Sequence, residues 1–283
     1  MRFGLNMPNF GEFADPATVV DLARDAEKAG WEGFFLWDHI NPFGEWEVPL
    51  ADPWVLLAAV AQATTRMRLG TLVTPVPRRR PWVLARQTAT LDHLSNGRLT
   101  LGVGLGVPAA SEFGAFGEET DIKVRAEKLD EGLAILAGLW TGEPFEFQGR
   151  HFDVERTRFQ PAPVQRPRIP VWVAAVWGKE GPLRRAARFE GVFPLKMDPD
   201  GGEGEPIEPE EYAELRRRLE KMRDGRPIEI VMTEEVTDNE PRDPARLRSF
   251  ADAGVTWYME GLGTRHVTLE DLVARVRKGP PRL

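Results

Sequence analysis

Short apolar runs alternate with stretches whose apolar residues recur every three or four positions, and the alternation repeats along the whole chain. Residues 3–7 read as a first strand. Asp15 then caps a helix with Pro16 in its first turn and Gly30 behind it, and Val19, Leu22, Ala23 and Ala26 form one stripe inside it. Residues 33–37 are apolar without alternation, the look of a strand covered on both faces, as in a parallel sheet. The unit recurs. Asp52-Pro53 opens a helix carrying Leu56, Leu57, Val60 and Ala61, followed by a third strand at 69–74. A helix from Pro81 stops at the Ser95-Asn96-Gly97 turn before a strand at 99–103 and a long helix at 120–140. Further strands are expected at 169–175, 192–196, 228–233 and 255–259, and helices at 183–189, 209–223 and 244–253. Thr268 caps a last helix whose face is Leu269, Leu272, Val273 and Val276.

Eight strand–helix units predict an α/β protein, a (β/α)8 TIM barrel forming a single domain over residues 1–283. The rival is an open doubly wound sheet, which would show a Gly-rich phosphate turn after its first strand; Pro8-Asn9-Phe10-Gly11 is not one. Three segments exceed ordinary connections: 106–119 after strand four, 142–167 before strand five, and 197–208 after strand six. The second holds residues 145–152, a hairpin turning at Gln148-Gly149; the third is rich in Gly, Pro and acid. Loops that follow strands lie on the catalytic face of a barrel, so the first and third insertions belong there.

Composition narrows the function. The 37 Lys and Arg against 44 Asp and Glu leave a net charge of −7, a poor match for nucleic acid or an anionic membrane surface. No stretch approaches the roughly 20 apolar residues of a membrane helix, and residues 1–6 run straight into a strand without a secretory signal, so a cytoplasmic protein is expected. The absence of cysteine removes disulfides, thiolate metal sites and a cysteine nucleophile.

His39 ends strand two, where a side chain projects into a barrel mouth and an imidazole can hold or deliver a proton. A histidine bonded structurally to a nearby carbonyl is the plain alternative. His93, His151 and His266 share no ligand spacing, so no metal is expected. Gly70 and Pro75 at the end of strand three allow a bulge, while Arg78-Arg79-Arg80 reads first as a solvated face or intersubunit patch. Gly102, Gly104 and Gly106 allow close approach of a planar ring, and Val176-Trp177-Gly178-Lys179 leads into a helix start with Arg184 and Arg185 nearby, either an anion site or solvated cations. Asp38 and Glu260 are the acids at strand ends, and Trp37, Trp46, Trp177 and Trp257 are placed near the mouth as walls of a dry pocket.

Residues 30–39, 69–75 and 91–106 together resemble the bacterial luciferase-like monooxygenase family of flavin- and coenzyme F420-dependent oxidoreductases. The resemblance implies a barrel with the cofactor at its C-terminal mouth and His39 beside the ring. It implies a bulge with a non-prolyl cis peptide within Thr71-Leu72-Val73 backing that ring. Asn6, Gly104 and Gly106 would line the pocket, Val176, Trp177, Gly178 and Lys179 would hold the phosphate, and the protein would be a homodimer. Three departures stand out: Val107 occupies the place of a glutamate in the family's sugar-phosphate dehydrogenases, Phe43 that of a tryptophan, and Trp177 interrupts a Gly-Gly turn. They argue against a sugar phosphate.

The function expected is therefore an oxidoreductase, a monooxygenase using reduced FMN and oxygen on a small organic substrate. Coenzyme F420 with hydride transfer is the alternative. A non-catalytic flavin-binding barrel is the rival from another class.

Overall fold

The computed structural model describes residues 1–42, 44, 48–197, 204–235, 242–263 and 267–283. Eight parallel strands close into a barrel. In order around it they are β1 (Arg2–Met7), β2 (Gly33–Leu36), β3 (Arg68–Pro75), β4 (Leu99–Gly104), β7 (Val171–Val176), β8 (Gly191–Leu195), β9 (Glu229–Glu235) and β10 (Trp257–Gly261), which returns to β1. β5 (Phe145–Gln148) and β6 (Asp153–Thr157) form the expected hairpin outside it. The helices are α1 (Pro16–Ala29), α2 (Pro53–Ala63), α3 (Pro81–Leu94), α4 (Ala109–Glu112), α5 (Ile122–Leu139), α6 (Glu180–Ala186), α7 (Pro209–Met222), α8 (Pro244–Asp252) and α9 (Leu269–Lys278). Among the described residues no helix is long and apolar enough to cross a membrane.

Local chemistry sets the helix ends. The Asp15 carboxylate accepts from the amides of Ala17 and Thr18, and Gly30 leaves α1 at φ +97, a conformation that favours glycine. Asp52 caps α2 in the same way, and Thr268 with Asp271 closes a capping box on α9. Some boundaries shift from the pattern. The helix expected at 183–189 is Glu180–Ala186, because the Arg188 and Phe189 amides bond three residues back and tighten the chain into a turn. The last strand starts at Trp257, where its pairing with Arg2 begins, rather than at Val255. The loop after β4 is not featureless, for it carries α4.

Two apolar layers hold the barrel. Phe35, Leu72, Trp172, Phe193, Val231, Trp257 and Met259 fill the interior, and a larger shell lies between strands and helices. Large side chains fit because glycines face them: a Cβ on Gly191 would stand 2.2 Å from Trp172. Trp257, expected near the mouth, opens β10 at the opposite end, with the Arg2 guanidinium 4.4 Å over its ring. The hairpin folds against α5, whose Glu131 carboxylate accepts from the amides of Arg150, His151 and Phe152. Residues 198–203 of the third insertion, together with Phe43, Trp46 and His266, lie outside the described residues.

Candidate active site at the barrel mouth

The C-terminal strand ends form the mouth, and His39 stands three residues beyond β2. Asn9, just after β1, fixes its backbone. The Asn9 Nδ2 donates to the carbonyls of His39 (2.9 Å) and Ala51 (2.7 Å), and its Oδ1 accepts from the His39 amide (3.2 Å). The His39 ring is held by Glu112, the last residue of α4, which is buried. Oε1 of Glu112 lies 3.0 Å from His39 Nδ1 and accepts from the amides of Ile40 (3.1 Å) and Asn41 (3.0 Å), while Oε2 pairs with the Arg78 guanidinium.

Burial presses the Glu112 carboxyl towards its protonated form. The His39 hydrogen bond, the Arg78 charge and the Asn41 amide outweigh that pressure and hold it below the ordinary carboxylate range. An ionised Glu112 can only accept, so Nδ1 of His39 is the donor in the pair and Nε2 is the nitrogen left to take up or give a proton. Among the described residues Nε2 has no hydrogen-bond partner, and the side chain is 22% exposed.

A second buried carboxylate braces the first. Asp38 receives both nitrogens of the Arg79 fork at 3.0 and 2.6 Å, Arg78 at 3.1 Å, the Trp54 indole at 3.2 Å and the Thr74 hydroxyl at 2.8 Å. It is a structural anchor with no acceptor capacity to spare for substrate. Arg78 and Arg79 are therefore not the solvated or intersubunit patch that their run suggests; their planar forks match two desolvated carboxylates, and Arg80 alone of the three is exposed. Glu260, the other strand-end acid, points out of the barrel to Arg275 on α9. Burial raises its pKa despite that partner.

β3 carries a cis peptide at Leu72–Val73, inside the segment where it was expected, and its register with β4 breaks between Thr71 and Thr74. Thr71 is fully buried in the wall; its hydroxyl donates to the Gly102 carbonyl at 3.2 Å. Leu72 packs into the interior and Val73 is half-buried above it. Gly104 and Gly106 have packing reasons of their own. Val73 occupies the space of a Gly104 side chain, and Gly106, at φ +84, is closed in by Phe113 and Pro75. In the turn after β7, Val176 and Trp177 are half-buried and Gly178 and Lys179 exposed. The Trp177 amide donates to Leu195 at 2.7 Å, and Lys179 makes no ion pair among the described residues. Arg185 turns away to Asp130.

Asn6 lies at the inward-facing end of β1, 2% exposed, and its Oδ1 has no hydrogen-bond partner among the described residues; the same holds for the Thr233 hydroxyl on β9. Two unsatisfied polar atoms among the half-buried apolar side chains Trp37, Val73, Val176 and Leu195 fit a flat ring with a polar edge. His93 and His151 are bonded to the Ala162 carbonyl and to Glu127, far from this site. Pattern reading missed Glu112, Asn9 and Arg78. The one hint for Glu112 is an acid enclosed by apolar and small residues over 105–117.

Residues 1–261 match the family model described as luciferase-like monooxygenase. The chain belongs to that family. An uncharacterized protein of Mycobacterium tuberculosis is 34% identical over 197 residues, covering 64% of this chain and 66% of that one. An F420-dependent glucose-6-phosphate dehydrogenase of Intrasporangium calvum is 36% identical over 182 residues, 62% of this chain and 51% of its own. The chain thus spans from about half to just under two thirds of the curated relatives it matches. Among solved structures, an F420-dependent secondary alcohol dehydrogenase superposes with a TM-score of 0.78 at 18% identity, 97% of each chain being covered. A monooxygenase from Streptomyces bottropensis does so at 0.73 and 23%, over 98% of this chain and 97% of its own. These likenesses establish the shared barrel.

Proposed function

We propose that this chain is an oxidoreductase that seats a flavin-type ring in the barrel mouth and moves a proton on a small organic substrate through His39. The observation that carries the reading is the His39–Glu112 pair, a proton-handling imidazole fixed in one tautomer by a buried carboxylate. In this reading the Asn6 amide meets the polar edge of the ring, and the bulge at Thr71, Leu72 and Val73 backs it. Gly104 and Gly106 keep the wall near it close-fitting. The turn Val176-Trp177-Gly178-Lys179 takes the phosphate, with Lys179, which makes no ion pair among the described residues, as its cation. A bound flavin or deazaflavin supplies the electron pair or hydride, and FMN with oxygen supplies the oxygenating equivalent. His39 Nε2 accepts the proton of a substrate hydroxyl or returns one to a carbonyl oxygen. The imidazolium so formed stays paired with Glu112, and Arg78 keeps Glu112 ionised. Half-buried Trp37 and Trp177 reduce the water around the reacting atoms.

Two rings suit this arrangement, each with its own support. Coenzyme F420 is favoured by relatives of that name at 33% to 36% identity. FMN with oxygen is favoured by the match of residues 1–261 to the luciferase-like monooxygenase family model. Val107, an exposed apolar side chain where the sugar-phosphate dehydrogenases of the family carry glutamate, argues against glucose 6-phosphate as substrate.

Titrating the protein with FMN, reduced FMN and F420 while following tryptophan fluorescence tests the proposal, with oxygen uptake and F420 bleaching over a panel of alcohols and ketones as activity readouts. Saturable binding of one ring is expected, and His39→Asn should retain that binding while losing turnover by about 10²–10⁴-fold. Failure of every ring to bind overturns the reading. Tight binding with no chemistry on any substrate replaces it with a storage barrel.

A further inference from the structure

The face of the barrel opposite His39, where the chain enters β1, β9 and β10, carries two adjoining depressions. One of about 540 Å³ is lined by Arg2, Arg216 and Arg226 with residues 225–228 and 254–256. The other, about 370 Å³, is lined by Arg184, Arg188 and the same Arg226. Five arginines thus line two depressions that share Arg226, against Glu220 as the acidic lining residue, on a chain whose net charge is −7.

These guanidinium groups are unevenly neutralised. Arg2 pairs with Glu229 and Arg216 with Glu220 at 2.8 Å. Arg184 and Arg188 reach carboxylates only at 3.9 and 3.7 Å, contacts that exposure to water makes weak. Arg226 makes no ion pair among the described residues; its Nε donates to the Arg223 carbonyl at 3.1 Å. Arg223, next in sequence to this surface and itself buried, adds a further charge. Its guanidinium donates to the carbonyls of Ala187 (2.7 Å), the cap residue of α6, and of Pro227 (2.7 Å), and it makes no ion pair among the described residues. Burial, then the neighbouring Arg226, lower its pKa, with Glu190 opposing and Arg168 adding to the effect. The floor is apolar, formed by Ile228, Ile230, Val255 and Ala251 on one side and Ala187 on the other.

We infer that this surface binds a small organic molecule carrying two or more phosphate or carboxylate charges, with Arg226, which lines both depressions, and Arg188, which lines the smaller one, as its main contacts. Arg184, Arg188 and Arg226, the three with weak counter-charges or none among the described residues, gain most from a multivalent anion, and planar guanidinium forks match phosphate and carboxylate oxygens two at a time. The larger depression falls within the roughly 300–1,000 Å³ typical of small-molecule sites. The inference is independent of the ring proposed for the mouth.

The test is calorimetric titration of the protein with inorganic pyrophosphate and with citrate at low salt. The expected result is saturable one-site binding of at least one probe, weakened about tenfold or more in R188A/R226A. Both side chains are exposed, so the variant should keep the parent's circular dichroism and melting temperature. R188K/R226K, which keeps the charges and loses the forks, should fall between. Lys179→Ala, altered at the mouth, should bind the probes as the parent does. No saturable binding of either probe overturns the inference, as does binding that R188A/R226A leaves intact. Binding of heparin with neither small probe gives the face to a macromolecular polyanion and equally overturns it.

Discussion

The Cγ2 of Val73 lies 2.8 Å from the point that a Cβ on Gly104 would occupy, so the bulge of β3 fills the side-chain space of the neighbouring strand. Gly104→Ala is expected to cost about 1–3 kcal/mol, the usual penalty for overpacking, measured by urea denaturation. Gly70→Ala should cost more. Its Cβ would stand 1.8 Å from the Thr100 carbonyl oxygen, a backbone atom that cannot retreat without parting β3 from β4. Equal midpoints for the two variants would show that side-chain space does not set these glycines.

Glu112→Gln should destabilise the fold by about 1–3 kcal/mol at neutral pH, since Arg78 loses one of its two buried carboxylate partners and keeps only Asp38. The effect has a pH signature. The folded-state pKa of Glu112 lies below its ordinary value of 4.5, so its contribution is complete above that pH and is lost as the pH falls through the depressed value. The melting temperatures of parent and variant should therefore differ most near neutrality and converge in acid. A gap that persists unchanged into strong acid would contradict the assigned charge state.

Kinetics separate positioning from proton transfer. Glu112→Gln should lower turnover by about 10–100-fold, as loss of an orienting partner does, with cofactor affinity nearly kept. It should also release the His39 ring from its single tautomer, read from the imidazole nitrogen shifts by NMR, whereas a purely structural defect would leave the tautomer as in the parent. Asn9→Ala, which frees the His39 backbone and leaves the dyad in place, should lower the rate with that tautomer kept.

Arg98 lies in the segment most typical of the family, yet its role is architectural. It donates to Ser95 at 2.7 Å, to the Thr64 hydroxyl at 2.9 Å, and to the carbonyls of Met67 (3.0 Å), Ala61 (2.8 Å) and Thr64 (3.0 Å). Lysine cannot reach so many acceptors from one planar group. Arg98→Lys should lower stability by about 2–4 kcal/mol, read by denaturation, with cofactor affinity unchanged. A loss of ring binding at full stability would instead assign it to the site.

What could be read from residues alone follows from which interactions are local. Caps such as Asp15 and Asp52 act within a turn, and the barrel strands advertise themselves as apolar runs, so the eight-stranded cylinder was legible. The bulge at Leu72–Val73 was legible only through family resemblance. Glu112 was not legible. It lies 73 positions from His39 in a loop without periodicity, and its meaning arises when that loop folds across the ends of β2 and β3. Arg78 and Arg79 misled for a related reason, since a run of like charge reads as surface until the buried carboxylates it serves are known. Trp257 was assigned to the wrong end because tryptophan composition does not say where along a strand the ring lies.

β1 is bonded on one side to β2 and on the other to β10, which ends only at Gly261. On the ribosome β1 must therefore wait, one flank unpaired, until β10 has been made. Chaperone dependence during synthesis should follow from this late sealing of the seam, and a circular permutant that brings β10 next to β1 in order of synthesis should need less assistance.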